Sequence, residues 1–170
     1  IADGFEQSEF QKPLAALKEE GATVDIISLK KGTVKAWNGK DWGEEFEATM
    51  AIDEVSSDDY DALVLPGGVM SPDTLRMDED AVNFVTEFMD DEKPVAAICH
   101  GPWLLMETGV LKGRKMTSYP SIKSDLVNAG AKWVDEEVVV DDGLVTSRSP
   151  KDLPAFCKKM VEEIAEGVHH

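Results

Sequence analysis

Apolar positions along this chain alternate between two spacings. Over residues 6–20, Phe10, Leu14 and Leu17 recur at helical intervals until Gly21 ends the run. The opening Ile1-Ala2-Asp3-Gly4 reads instead as the last residues of a buried strand that begins upstream of Ile1. Residues 24–29 predict a strand, and the glycine-rich stretch through Trp37 and Trp42 predicts short hairpin strands. Short apolar runs at 62–65 and 95–98 are of the buried parallel-strand type. Helices are expected over 80–89, 101–108, 121–129 and 150–165, the last with Pro154 in its first turn. Asp141-Asp142-Gly143 between two valine-rich runs is a hairpin signal. Strands thus alternate with helices, which predicts an α/β fold with a mostly parallel sheet and helices on both faces.

No repeat, linker or low-complexity segment divides the 170 residues, so a single domain is expected over 1–166. Residues 167–170 form a tail, in which His169 and His170 are a tag remnant or native residues. No apolar run reaches the roughly 20 residues of a membrane helix, and no leader pattern is visible, so the expected address is the cytoplasm. The formal net charge is −17. Its acids are spread along the chain, as a solvated coat rather than one acidic tail. Such a surface repels phosphate backbones and anionic lipid, which makes nucleic acid and membranes poor partners. Two origins fit that coat: adaptation to a salty cytoplasm, or ordinary charge-based solubility.

Candidate chemistry collects where strands end, because ligands of open α/β sheets gather beyond the strands' carboxyl ends. Three tips qualify: Asp3-Gly4-Phe5-Glu6, Pro66-Gly67-Gly68 and Cys99-His100-Gly101-Pro102. The third is the strongest. A strand running straight into Cys99 with a helix just beyond makes an elbow that lifts the sulfur clear of the sheet. The helix start favours its thiolate, so a depressed thiol pKa is expected. Gly101 permits close approach, and His100 is available as a proton carrier. The bland reading of Cys99 is a small buried hydrophobe. Cys157, among Phe156, Met160 and Val161, reads as packing. On the residues alone Glu6 is an ordinary helix-start acid or a crevice carboxyl, and Gly67-Gly68 is a turn or a source of oxyanion-binding amides. With so few histidines and cysteines, a zinc site is not expected. No dinucleotide, Walker, serine-hydrolase or H-E-x-x-H motif is present.

Ala62-Leu63-Val64-Leu65-Pro66-Gly67-Gly68, Ala97-Ile98-Cys99-His100-Gly101-Pro102 and the run from Gly113 to Pro120 together resemble the PfpI-type intracellular cysteine protease family. That family lies within the Parkinson-protein, glutamine-amidotransferase-like superfamily. The resemblance extends to Asp3-Gly4-Phe5-Glu6 and to 138–147, and so spans nearly the whole chain. It implies a flavodoxin-like three-layer sandwich with Cys99 as nucleophile and His100 as its partner. It also implies Glu6 as the glutamate that hydrogen-bonds the cysteine, and an oxyanion hole from Gly68 and the His100 amide. Gly67, Gly101 and Tyr119 are implied around the pocket. Members form dimers or larger rings, and the acid supplied across the interface corresponds here to Asp73. No cofactor is implied. Relatives act as cofactor-free glyoxalases, deglycases, peptidases, oxidation sensors or chaperones. The expected function is cysteine-dependent chemistry on small 2-oxoaldehydes, with peptide hydrolysis and a non-catalytic stress role as alternatives.

Overall fold

The structure is a computed structural model and describes residues 1–167, so the tail expected beyond Gly167 lies outside the described residues. In chain order the elements are β1 (Phe5–Glu6), α1 (Gln7–Glu19), β2 (Ile27–Ser28), β3 (Gly32–Asn38), β4 (Asp41–Ala48), β5 (Met50–Ala51) and β6 (Leu63–Leu65). They continue as α2 (Met70–Leu75), α3 (Glu79–Asp90), β7 (Val95–Ile98), α4 (Pro102–Met106) and β8 (Lys115–Met116). The chain closes with α5 (Lys123–Asn128), β9 (Lys132–Trp133), β10 (Val139–Asp141), β11 (Leu144–Ser147) and α6 (Leu153–Glu166).

The central sheet has the order β10-β11-β7-β6, with β6, β7 and β11 parallel and β10 antiparallel at the edge. All four residues of β7 and all four of β11 are buried, as expected of strands covered on both faces. Phe84, Val85 and Phe88 of α3 pack with Leu104, Leu105, Leu126 and Leu144 on one side. Leu17 of α1 joins Phe156 and Met160 of α6 against Ala96, Ile98 and Val145 on the other. Each fully buried Phe or Leu here contributes about 1.5–3 kcal/mol relative to exposure. The 80–89 periodicity therefore describes a real core-facing stripe, and Asp78 caps its helix by accepting from the Ala81 amide at 2.9 Å.

Three features depart from the sequence expectation. Residues 1–4, expected to end a buried strand, are not in a strand, and the first strand is β1. The run 24–29 contributes only the two-residue β2, which pairs with β5. Among the described residues β2 and β6 have no common partner, and both line a cavity of about 470 Å³ together with Phe10, Leu14, Val24 and Phe88 among others. The glycine-rich stretch is more regular than expected: β3 and β4 form a long antiparallel hairpin, with Trp37 opposite Trp42. β1 pairs alongside β3, and that pairing places the start of α1 over the 66–68 loop.

Candidate active site

Cys99 follows the last residue of β7 directly, and its φ of 63° is in the left-handed region. For a residue with a Cβ that conformation costs roughly 1–2 kcal/mol, which the surroundings must impose. They do so from both sides. The Cys99 amide donates to Ser147 O at 3.0 Å, continuing the β7–β11 ladder, and its carbonyl accepts from the Tyr119 amide at 2.9 Å. The chain then turns at once, with Gly101 N donating to Ile98 O at 2.9 Å, and α4 starts at Pro102. A Cβ on Gly101 would stand 2.4 Å from Leu65 O, and one on Gly67 would stand 2.4 Å from Glu9 Oε1 and 2.8 Å from Cys99 Cβ. Both glycines, expected around the pocket, allow the close packing of the elbow that bears Cys99.

His100 Nδ1 lies 3.3 Å from Cys99 Sγ, and its Nε2 lies 3.1 Å from Ser121 Oγ. The imidazole stacks on Tyr119, with ring centroids 5.0 Å apart, and meets the edge of Trp103 at 5.4 Å. Burial lowers its pKa from the usual 6.5, so the ring is neutral at pH 7. The amides of Gly68 and His100 lie toward the sulfur and favour its charged form. Gly68 has φ 82°, and a Cβ there would fall 2.4 Å from Gly4 O, so only glycine turns its amide this way.

The carboxyl beside the sulfur is Glu9 and not Glu6. Glu6 ends β1, opposite Trp37, and is only partly buried. Glu9, in the first turn of α1, has no solvent exposure. Its Oε1 accepts from the Gly67 amide at 3.1 Å, and its carboxyl neighbours the Cys99 thiol. Burial raises its pKa to about 8, with the Glu6 charge adding to the shift, so at neutral pH it is largely a protonated acid. The sequence reading falls on Glu6 and passes over Glu9, which lies three residues on in the first turn of α1. The packing of the first turn of α1 onto the 66–68 loop distinguishes them. Ser121 also escaped the sequence reading, since nothing in Tyr119-Pro120-Ser121 marks a histidine partner.

The expected depression of the Cys99 pKa does not hold for the resting geometry. Burial pushes the thiol up, the Glu9 carboxylate adds to this, and the Gly68 and His100 amides pull the other way. α4 is a single short turn, so its dipole is too small to offset desolvation. While Glu9 keeps its proton, its part of the upward push is absent. Cys99 is 8% exposed and packs in the apolar cluster with Ile98 and Val145, with the polar groups of His100 and Glu9 beside its sulfur. Cys157 is half-buried on α6 against the apolar cluster of Leu17 and Phe156. Asp73 is exposed on α2. Among the described residues no group of three or more His, Cys, Asp or Glu side chains is placed to hold a metal ion, and no helix is long and apolar enough to cross a membrane.

This architecture has close counterparts among known proteins. Residues 1–163 match the model of the DJ-1/PfpI family. Deglycase TK1284 of Thermococcus kodakarensis is 48% identical over 161 residues, which cover 95% of this chain and 94% of the relative. General stress protein 18 of Bacillus subtilis is 52% identical over 153 residues, covering 89% of this chain and 87% of the relative. Among solved structures, Drosophila melanogaster DJ-1beta superposes with a TM-score of 0.85 at 30% identity, covering 98% of this chain and 91% of its own. A family match over nearly all of the chain, with a solved structure of the same fold at 30% identity, leaves one assignment: this protein is a member of the DJ-1/PfpI family.

Proposed function

We propose that this protein is a cysteine-dependent enzyme acting on small 2-oxoaldehydes, in the manner of a glyoxalase or deglycase. The observation that carries this reading is the 3.3 Å approach of His100 Nδ1 to Cys99 Sγ, with two amides lying toward the same sulfur. Curated relatives named as deglycases point the same way. The bond from Sγ to the aldehyde carbon forms as the thiol proton passes to His100, which is neutral and therefore free to accept it. The resulting hemithioacetal oxygen takes hydrogen bonds from the Gly68 and His100 amides. The C1 hydrogen then moves as a proton to the adjacent carbonyl carbon through an enediol, leaving a thioester. Water cleaves the thioester to a 2-hydroxy acid and returns the thiol. Oxidation at C1 balances reduction at C2, so no external redox partner enters. Protonated Glu9 donates toward the sulfur when it carries charge.

The reading includes a homo-oligomer, dimer or hexamer, in which Asp73 of one copy approaches His100 of the next. Val69, Met70 and Met77, all exposed on or beside α2, supply the apolar surface for such a contact. It also places the protein in a reducing cytoplasm, where both thiols stay free. Peptide hydrolysis is the second reading, because a Cys–His pair with amide donors serves acyl transfer equally well.

The test is loss of methylglyoxal with formation of lactate, beside casein cleavage, for the wild type and Cys99→Ala. Cys99-dependent aldehyde turnover, reduced about a hundredfold or more in the variant, is expected. Its acid limb should lie below pH 6.5, because the His100 pKa is lowered from that value. Casein cleavage alone would transfer the assignment to a peptidase. Turnover of neither substrate would remove the enzymatic reading and leave Cys99 oxidation by peroxide as the activity to measure.

A further inference from the structure

We infer that Ser121 is a positioning residue for His100: its hydroxyl holds the imidazole so that Nδ1, and not a ring carbon, faces the Cys99 sulfur. The inference rests on the reading of Cys99 and His100 as a working pair, and it adds a residue to that pair from within the same chain.

The geometry is a line of three groups, Cys99 Sγ to Nδ1 at 3.3 Å and Nε2 to Ser121 Oγ at 3.1 Å. Stacking against Tyr119 and the edge contact with Trp103 fix the plane of the ring but cannot choose between its two flipped orientations. A half-turn about the Cβ–Cγ bond exchanges Nδ1 with Cδ2 and Nε2 with Cε1. The flipped ring would point carbon at the sulfur and carbon at the hydroxyl, losing both bonds. Ser121 therefore selects the orientation. With Nε2–H donating to its oxygen, the neutral ring also keeps its lone pair on Nδ1, the atom that must take the thiol proton.

Ser121 reaches this place because its own turn is tied to the nucleophile. It lies in the 3-10 turn Pro120–Ile122, and the residue before that turn, Tyr119, donates its amide to Cys99 O at 2.9 Å. A shift of the serine relative to the sulfur would break that bond. Ser121 is a neutral partner within the same chain, and the proposed approach of Asp73 from a neighbouring copy adds charge to a ring that the serine has already oriented.

The groups around His100 that bear on its titration can be named from each side. Cys99 and, behind it, Glu9 lie toward Nδ1. Tyr119 covers one face. Trp103 brings two charges at one remove: Asp125, which accepts its indole N–H at 2.9 Å, and Arg76, stacked 5.2 Å over its ring and paired with Glu107. Asp73 is exposed on α2, the helix preceding Arg76. Ser121 alone among these bonds Nε2.

The experiment compares Ser121→Ala, Ser121→Thr and Ser121→Asp by steady-state kinetics with methylglyoxal and by NMR titration of the His100 ring nitrogens. Ser121→Ala should lower kcat about five- to twentyfold with KM held within about twofold, and Ser121→Thr should restore most of the rate. Ser121→Asp should raise the His100 titration midpoint by about one pH unit and carry the acid limb of kcat/KM with it. An unchanged kcat in the alanine variant, or a midpoint that the aspartate does not move, would overturn the assignment. Should the wild type turn over no aldehyde, the enzymatic reading fails by itself. The NMR titration still decides the contact, because a serine that merely caps a surface turn leaves His100 unmoved in all three variants.

Discussion

Glu9 combines zero exposure with a carboxyl that has the Gly67 and Gly68 amides and a thiol for company. Its pKa rises from 4.5 to about 8 on folding, so the sign of its effect on stability follows directly. Between those two values the unfolded chain has lost the proton and the folded chain keeps it. The folded state then binds more protons than the unfolded one, and stability falls as pH rises through that window. Replacing Glu9 with Gln removes the titration. The wild type should lose stability from pH 5 to pH 8 at up to about 1.4 kcal/mol per unit from this residue, and Glu9→Gln should lose less, as read by urea denaturation. Parallel pH profiles for the two proteins would show that Glu9 titrates normally. Cys99 belongs to the same scale. Its left-handed backbone is tolerated because two main-chain hydrogen bonds hold it from opposite sides.

At the scale of elements, the nucleophile's position depends on how tightly the elbow after β7 sits on β6. Gly101 is the point of contact, with its missing Cβ replaced by Leu65 O. Gly101→Ala should therefore destabilise the fold by about 1–3 kcal/mol and lower Cys99-dependent activity, since relief requires β6 and the elbow to separate. A urea midpoint equal to that of the wild type would show that the elbow has slack. The other flank of the elbow is fastened by Arg148, just after β11, which bonds Asp152 through its backbone and side chain and Asp135 at 2.9 Å. This pins the start of α6 beside Ser147, the residue that receives the Cys99 amide. The strand-to-helix elbow was legible from residues 95–102 alone. The fastening around it was not, because Arg148 and its two acids look like any other charged residues in a chain that carries 34 acids.

For the whole molecule, the governing quantity is a net charge of −17 spread over the surface. Against that charge, ion pairs join Glu54, Glu107, Asp135, Asp141, Asp152 and Glu162 to Lys or Arg, most with at least one partly exposed member. Exposed pairs contribute roughly 0–1 kcal/mol each, which is small beside the self-repulsion expected of so large a net charge at low salt. Raising potassium chloride from about 0.05 M to 1 M shortens the screening length severalfold and should raise the melting temperature by several degrees. A melting temperature that stays flat or falls would mean the coat is neutral in its effect on folding.

Alternation of apolar runs was enough to establish the α/β class, the buried strand at 95–98, the hairpin around 141–143, and a cysteine placed where a strand gives way to a helix. Those properties are local, since strand period, turn chemistry and helix capping act over a few neighbouring residues. Which glutamate meets the sulfur, which hydroxyl meets the histidine and which way the thiol pKa moves were decided only by tertiary structure. Glu9 and Ser121 come within reach of the Cys99–His100 pair from 90 and 21 residues away respectively, counted along the chain to the residue each one serves. Burial, which sets the protonation of all of them, is a property that no residue has until the chain has packed.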